Sequence, residues 1–217
     1  MIAIDGPSAS GKGTVAQRVA ARLGFHYLDS GALYRLVTFG ALQQRVALDD
    51  ETGLARLAAS LDARFSGENI ILNQEDVTDA IRSEAVGEGA SRVAALPAVR
   101  QALLERQRAF RQPPGLVADG RDMGSIVFPD AVLKIYLTAD AGERARRRYK
   151  QLIEKGMGAN ITTLLQDIGH RDARDSARAV APLQKSDDAS LLDTTKLSID
   201  AAVEQVLARY VAAIRVS

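Results

Sequence analysis

The stretch that most restricts the fold lies at the very start of the chain. The apolar run Ile2-Ala3-Ile4 leads through Asp5 into Gly6-Pro7-Ser8-Ala9-Ser10-Gly11-Lys12-Gly13-Thr14. An apolar triplet that runs straight into glycine-rich chain reads as a buried strand ending in a tight loop. Beyond it, Val15, Val19, Ala20 and Leu23 recur at helical spacing across 14–23, and Gly24 is a natural stop. Residues 25–28 read as a second strand, and Asp29-Ser30-Gly31 as the cap of a helix running to about Arg45. Strand, loop, helix, strand, helix is the opening of a parallel sheet covered by helices, the α/β class.

The loop itself carries chemistry. Gly6 and Gly11 bracket four residues and Lys12 follows. Such a loop curls its backbone N–H groups around phosphates, with glycine where a side chain would collide. A helix starting near Gly13 aims the positive end of its dipole at the same place. Lys12 can reach the β- and γ-phosphates of a nucleoside triphosphate, and a hydroxyl beside it can hold Mg²⁺. Here that hydroxyl is displaced by one position, because Gly13 follows the lysine and Thr14 comes next. Thr14 is therefore the candidate metal ligand, and Gly6, Pro7, Ser8, Ala9, Ser10, Gly11, Lys12, Gly13 and Thr14 are the candidate nucleotide contacts. The alternative, a plain glycine-rich turn, does not account for the strand before it and the helix after it.

Downstream, residues 53–61 read as a helix. Residues 63–77 read as a hairpin or meander, because Ile70-Ile71-Leu72 follows the turn formers Ser66-Gly67-Glu68-Asn69. Segment 53–95 holds four Arg and seven acids, a local charge of −3, and looks like an insertion. A helix starts at Pro97 and runs to about Arg111, where Pro113-Pro114 stops it. Residues 116–119 and 132–137 are apolar strands of the kind buried on both faces. A basic helix spans 140–154, Gly156-Met157-Gly158 breaks it, and a further helix spans 162–178. A last strand at 190–192 and an amphipathic helix at 198–211 close the chain. Its 217 residues suit one medium domain with small appended parts.

Composition removes several classes of function. There is no Cys, which excludes disulfides, cysteine–zinc sites and thiol catalysis. A net charge of +1 gives no reason to expect nucleic-acid or membrane binding. No apolar run could span a bilayer and no signal region opens the chain, so a cytoplasmic protein is expected.

Three further motifs sit where strands of such a sheet end. Asp29-Ser30-Gly31-Ala32-Leu33-Tyr34-Arg35 follows the second strand; Arg35 is either a solvated residue behind a helix cap or a clamp for an anionic acceptor. Asp119-Gly120-Arg121-Asp122 follows an apolar strand; an acid there can help hold Mg²⁺ or its waters, and Arg121 can bind phosphate. The bland reading is a turn with a local Asp–Arg pair. Arg171, Arg174, Asp175 and Arg178 fall at i, i+3, i+4 and i+7, one face of a helix. They form either a solvated face or a set that stabilises charge on a phosphoryl group in transfer. Arg144 and Arg146–Arg148 read as a solvated run on an exposed basic helix. His26 and His170 have no metal-ligand spacing around them.

No placed general base stands out. A kinase acting on an alcohol often uses an Asp base, whereas a phosphate monoester is already largely dianionic at neutral pH and needs none. What such an acceptor needs is arginines.

The segments 4–14, Leu-Asp-Ser-Gly-Ala-Leu-Tyr-Arg at 28–35, Asp-Gly-Arg-Asp-Met-Gly-Ser-Ile-Val-Phe-Pro-Asp-Ala at 119–131 and Arg-Asp-Ala-Arg-Asp-Ser-Ala-Arg at 171–178 together resemble the bacterial cytidylate kinases, nearly end to end. The Gly-Lys-Gly-Thr form of the loop is itself similar to nucleoside monophosphate kinases. The resemblance implies an α/β P-loop core, made of 1–52, 96–139 and 179–217, with a parallel sheet flanked by helices. It also implies a small monophosphate-binding insertion with short strands at 53–95 and a short helical lid at 140–178. It implies a monomer that transfers the γ-phosphoryl group of ATP to CMP or dCMP with Mg²⁺, and no nucleic-acid or membrane partner. Arg35, Arg121 and Arg178 would hold the CMP phosphate, Ser91, Arg100 and Asp122 would read cytosine, Asp175 would hold the ribose, and Ser30 would add an acceptor contact. Lys12, Arg121, Arg171, Arg174 and Arg178 would act on the transferring phosphoryl. The chain departs from the family pattern at Ala9-Ser10, where Gly-Ala is expected, and its start suggests a short or trimmed N-terminus. Two rivals stay open on the residues alone: a P-loop kinase for another monophosphate or for an alcohol such as shikimate, and a non-enzymatic nucleotide switch.

Overall fold

The computed structural model describes residues 1–66, 69–154 and 156–215. Gly67 and Glu68, two of the expected turn formers, lie outside them. In chain order the elements are β1 (Ile2–Asp5), α1 (Lys12–Leu23), β2 (His26–Asp29), α2 (Ser30–Gln44), α3 (Glu51–Ala59), β3 (Ala63–Ser66), β4 (Asn69–Leu72), β5 (Glu75–Asp76), α4 (Glu84–Val93) and α5 (Pro97–Arg108). There follow β6 (Leu116–Gly120), β7 (Leu133–Thr138), α6 (Ala141–Glu154), α7 (Ile161–Ser176), β8 (Ser190–Asp193) and α8 (Ile199–Ile214). They group into two compact units, one of Met1–Leu28 with Phe110–Ser217, the other of Asp29–Ala109.

The first unit is built on a five-stranded sheet in the order β2-β6-β1-β7-β8. β1 pairs in parallel with β6 on one side and β7 on the other, and β7 pairs in parallel with β8. Ile2, Ala3 and Ile4 are completely buried, as are Leu116, Val117 and Ala118. These runs are apolar throughout because the central strands of a parallel sheet have no solvent face. Val15, Ala16, Val19 and Ala20 of α1 join Ala202, Val203 and Val206 of α8 in the core on Val117, Ile135 and Leu137. Exposed ion pairs Arg18–Asp200 and Arg22–Glu204 run between the same two helices and add little stability. α6 and α7 pack against each other as a helical pair. β1 lies between β6 and β7, so the chain reverses its direction of winding at the carboxyl end of β1. In open α/β sheets that reversal opens the ligand crevice.

The second unit packs α2 against α3 and α4, and α3 against α5, beside the antiparallel sheet β3-β4-β5. It contains all of segment 53–95, together with α2 and α5. The sequence pattern gives no helix at α4, where Gly87, Gly89 and Ala90 interrupt any apolar periodicity. The small residues serve close packing: a Cβ on Gly89 would stand 2.6 Å from Thr38 Cγ2 of α2. α5 stops at Arg108, short of the expected Arg111. Among the described residues no helix is long and apolar enough to cross a membrane.

Candidate nucleotide site

The loop from Gly6 to Gly11 joins β1 to α1 at the switch point. Two of its glycines are dictated by geometry. Gly6 has φ 154°, and a Cβ there would lie 2.0 Å from the Leu137 carbonyl oxygen. Gly11 has φ 89° and caps α1. The first bond of α1 runs from the Val15 N–H to the Gly11 carbonyl at 3.0 Å, so the amides before it point out of the helix end, the positive pole of its dipole. Gly13 explains the displaced hydroxyl: a Cβ at this position would come within 3.1 Å of Asp119 Oδ2 and 3.5 Å of the Tyr27 hydroxyl. The Asp119 carboxylate thus lies over the first turn of α1, at Gly13. Lys12 Nζ donates to the Pro7 carbonyl at 3.3 Å, folding back over the loop. The Ser8 and Ser10 hydroxyls are buried and have no hydrogen-bond partner among the described residues. A concave loop of amides with a lysine above it and two buried hydroxyls to spare fits a polyphosphate.

Two arginines back the loop, and the basic run of α6 is not the solvated face expected from sequence. Arg144 is buried and donates from Nε to the Ala139 carbonyl at 3.0 Å and from Nη1 to the Ser8 carbonyl at 3.1 Å. Its Nη2 pairs with Asp172 Oδ2 of α7 at 2.6 Å. Arg147 donates from Nη1 to the Ser10 carbonyl at 2.9 Å and from Nη2 to the Thr194 carbonyl at 2.6 Å. Arg146 does point into solvent, with 66% of its side chain exposed. What separates these residues is the face of the helix, which a run of like charges conceals.

At the carboxyl end of β1, Asp5 accepts from the Met123 and Gly124 N–H groups, both at 2.8 Å. These amides belong to the helical turn Met123–Val127 that follows Arg121-Asp122. Burial pushes the Asp5 carboxyl up to about 6, and the Asp122 charge adds to that, against the two N–H bonds and Lys12. Asp119 and Asp122 are also buried.

Asp175 of α7 gathers two of the expected arginines. Arg121 Nε donates to its Oδ2 at 2.9 Å and Arg178 Nη2 to its Oδ1. Burial raises the Asp175 carboxyl, but the guanidiniums of Arg121, Arg178 and Arg171 outweigh it and hold it below the ordinary range. Arg178 reaches Asp175 from outside the helix. α7 ends at Ser176 with Ala177 as its cap, so the four residues do not share one helical face as the spacing predicts. The Leu183 N–H donating to the Asp175 carbonyl at 2.9 Å turns the chain away. Arg171 and Arg174 are half-buried on α7. His26 Nε2 lies 2.9 Å from the Pro113 carbonyl, and His170 is exposed on α7.

The other expected acceptor residues lie in the second unit. Ser30, Ser91 and Arg100 are buried there, and Arg35 is partly exposed. Arg35 Nη1 donates to the Ile81 carbonyl at 2.9 Å, with its head over Gly87 of α4. Arg100 Nη1 donates to the Ala94 carbonyl at 3.2 Å and to the Tyr34 hydroxyl at 3.4 Å. Gln107 Nε2 donates to Ser30 Oγ at 3.3 Å. Tyr34 and Gln107, both buried, join these residues without being candidates on the sequence motifs. A signal was present: Tyr34 is i+4 from Ser30 and Gln107 is i+7 from Arg100, so each shares a helix face with an expected residue.

A parallel sheet with this loop at its switch point, a lysine on the loop and paired arginines nearby defines a P-loop nucleotide-binding protein. The comparisons narrow the class. The family model described as cytidylate kinase matches residues 2–212. The chain is 63% identical over 207 residues to a cytidylate kinase of Chromobacterium violaceum, covering 95% of this chain and 93% of that one. It is 62% identical over 213 residues to a cytidylate kinase of Pseudomonas paraeruginosa, with 95% and 93% covered. A third relative, the cytidylate kinase of Azotobacter vinelandii, is 59% identical over 218 residues, with 98% and 95% covered. The chain belongs to the cytidylate kinase family, a family of nucleoside monophosphate kinases. A crystal structure of an uncharacterized protein from Eubacterium ventriosum shares the fold, at TM-score 0.50 and 12% identity over 97% of each chain.

Proposed function

We propose that the protein transfers the γ-phosphoryl group of ATP to CMP or dCMP, releasing ADP and CDP or dCDP, as a cytoplasmic monomer. The observation that carries this reading is the convergence of Arg121 and Arg178 on Asp175, at the same edge of the sheet as the loop. Two guanidiniums sharing one carboxylate keep a positive surplus, which suits a dianionic acceptor. Arg171 and Arg174 on α7 supply further charge for the phosphoryl group in flight. Transfer between two polyanions depends on positioning and charge neutralisation rather than on a base.

In this reading the loop and Lys12 hold the triphosphate, and Thr14 holds Mg²⁺. Among the described residues no group of three or more His, Cys, Asp or Glu could hold a metal by itself. The ion would therefore take most of its ligands from phosphate and water, with the Asp119 carboxylate near enough to orient those waters. It would neutralise charge on the phosphates. The CMP phosphate goes to Arg35, Arg121 and Arg178, the ribose to Asp175, the cytosine to Ser91, Arg100 and Asp122, and a further contact to Ser30. Segment 53–95 serves as the monophosphate-binding insertion and 140–178 as the lid, which sequesters the reaction from water.

The test is ADP release with Mg-ATP and a panel of CMP, dCMP, UMP, AMP, GMP and shikimate. CMP and dCMP should stimulate it most. A rate with CMP no higher than with ATP alone would sink the reading. Arg178→Ala and Arg35→Ala should each cut turnover severely and leave ATP binding nearly intact; an equal collapse of ATP binding would assign them a structural role instead.

A further inference from the structure

We propose that Arg144 and Asp172 form a positioning pair that ties the phosphate-binding loop to α7, so that the loop and the arginines of α7 are held to one reference. The inference rests on the phosphotransfer reading above. Burying a guanidinium is costly unless its donors are satisfied, and an apolar residue would fill the same space with less penalty. Arg144 is nevertheless 6% exposed. Its planar fork is divided among three segments: Nε to Ala139 at the end of β7, Nη1 to Ser8 in the loop, and Nη2 to Asp172 on α7. A lysine, with one point of charge and no fork, could not hold all three.

The bond to the Ser8 carbonyl has a geometric consequence. A trans peptide is planar, with its C=O and N–H on opposite sides. Fixing the Ser8 carbonyl on Arg144 turns the Ala9 N–H away from α6, and so sets the orientation of a peptide plane in the middle of the loop. The bond to Ala139 fixes the guanidinium to the sheet. The bond to Asp172 then sets α7, which carries Arg171, Arg174 and Asp175 in the turns around it. None of these contacts requires Arg144 or Asp172 to touch a substrate. They act by placing groups that do, and angstrom-scale misplacement is costly in a reaction that depends on alignment.

The experiment is a double-mutant cycle on the full chain, with steady-state kinetics for ATP and CMP. Asp172→Asn should lower kcat by at least about tenfold while the KM for ATP stays within about threefold, because the loop contact is retained. Arg144→Met should lower kcat to a similar extent and also raise the KM for ATP, since of the pair only Arg144 reaches the loop. The double variant leaves neither charge of the pair without its partner, so it keeps its fold, and it should be no slower than Arg144→Met. Arg144→Lys should fail to restore kcat. Losses that multiply in the double variant, or full rescue by lysine, would overturn the pairing. A wild-type chain with no CMP-dependent ADP release would instead overturn the phosphotransfer reading, so the two failures are distinct.

Discussion

Replacing Asp5 by Asn removes a charge from under the site and leaves its shape almost unchanged. In the native chain this carboxyl is raised from 3.8 to about 6, chiefly because burial disfavours the ionised form. A difference of about two units corresponds to about 3 kcal/mol. The sign follows from which state holds the proton. Between the unfolded value of 3.8 and the folded value near 6, the native state binds more protons than the unfolded one, so stability falls as pH rises through that window. Below it the cost is absent, and above it the cost is complete. Asparagine does not titrate. Going from about pH 4 to pH 7, the variant should therefore gain about 2 kcal/mol on the wild type. The protonated carboxyl and the amide each keep one plain oxygen acceptor for the Met123 and Gly124 N–H groups, so the difference between those two forms is a constant offset that leaves the slope untouched. Urea unfolding of both proteins at pH 4, 5, 6 and 7 reads the difference directly. A difference that stays constant across the series would refute the reasoning. The same substitution loosens the turn that directly follows Asp122, so the KM for CMP should rise even where stability improves.

Asp175→Asn should show the opposite pH dependence. Its carboxyl is held low by Arg121, Arg178 and Arg171 against the effect of burial, so the stability it confers is present above the unfolded carboxylate value and is lost as pH falls through the depressed one. At neutral pH the variant should be less stable by about 3 kcal/mol, the cost of breaking a buried pair; the gap should narrow on acidification, and a gap unchanged by acid would count against the pairing. Gly6→Ala brings a Cβ to 2.0 Å from the Leu137 carbonyl, where ordinary contact needs more than 3 Å. It should cost over about 3 kcal/mol in urea unfolding and abolish ATP binding, and a loss below about 1 kcal/mol would show that the loop can move off β7. Ala9 has φ 57°, a left-handed conformation that glycine adopts without strain. Ala9→Gly should raise stability by about 0.5–1 kcal/mol after the entropy of the unfolded chain is counted, and an unchanged or lower unfolding midpoint would contradict that balance.

The parts of the fold that were legible in the sequence are those in which one residue type has one physical use. β1 and the loop could be read because an apolar triplet followed by glycines leaves few alternatives, and the hairpin could be read from Ile70-Ile71-Leu72 beside its turn formers. α4 could not, because its small residues serve the approach of α2 and leave no apolar stripe. Arg144 and Arg147 were hidden for a different reason. In a run of arginines the buried and the solvated look alike, and only the positions of Ala145 and Leu152 on the buried side of α6 mark which face turns inward. The i+7 spacing of Arg171 and Arg178 was misleading because it assumed that the helix continued. Ala177 ends it, and Arg178 returns to Asp175 from the following turn. Ser91 and Arg100 came only from the family resemblance, since a buried serine or arginine carries no signature in spacing.

The choice of a phosphorylated acceptor over an alcohol finally depends on how charge is arranged around Asp175. A carboxylate serving as general base would need its proton affinity raised toward neutrality and an open side facing the acceptor hydroxyl. Asp175 fails the first requirement: three guanidiniums depress it, and each of its oxygens already accepts from an arginine. Asp5 is raised to about 6, yet both its oxygens accept backbone N–H groups in the interior, out of reach of an incoming hydroxyl. These two carboxylates are thus occupied in holding arginines and a turn, and the positive surplus falls to the arginines. An acceptor that brings its own ionised oxygen needs no base and welcomes the surplus. An alcohol acceptor would meet the reverse of what it requires.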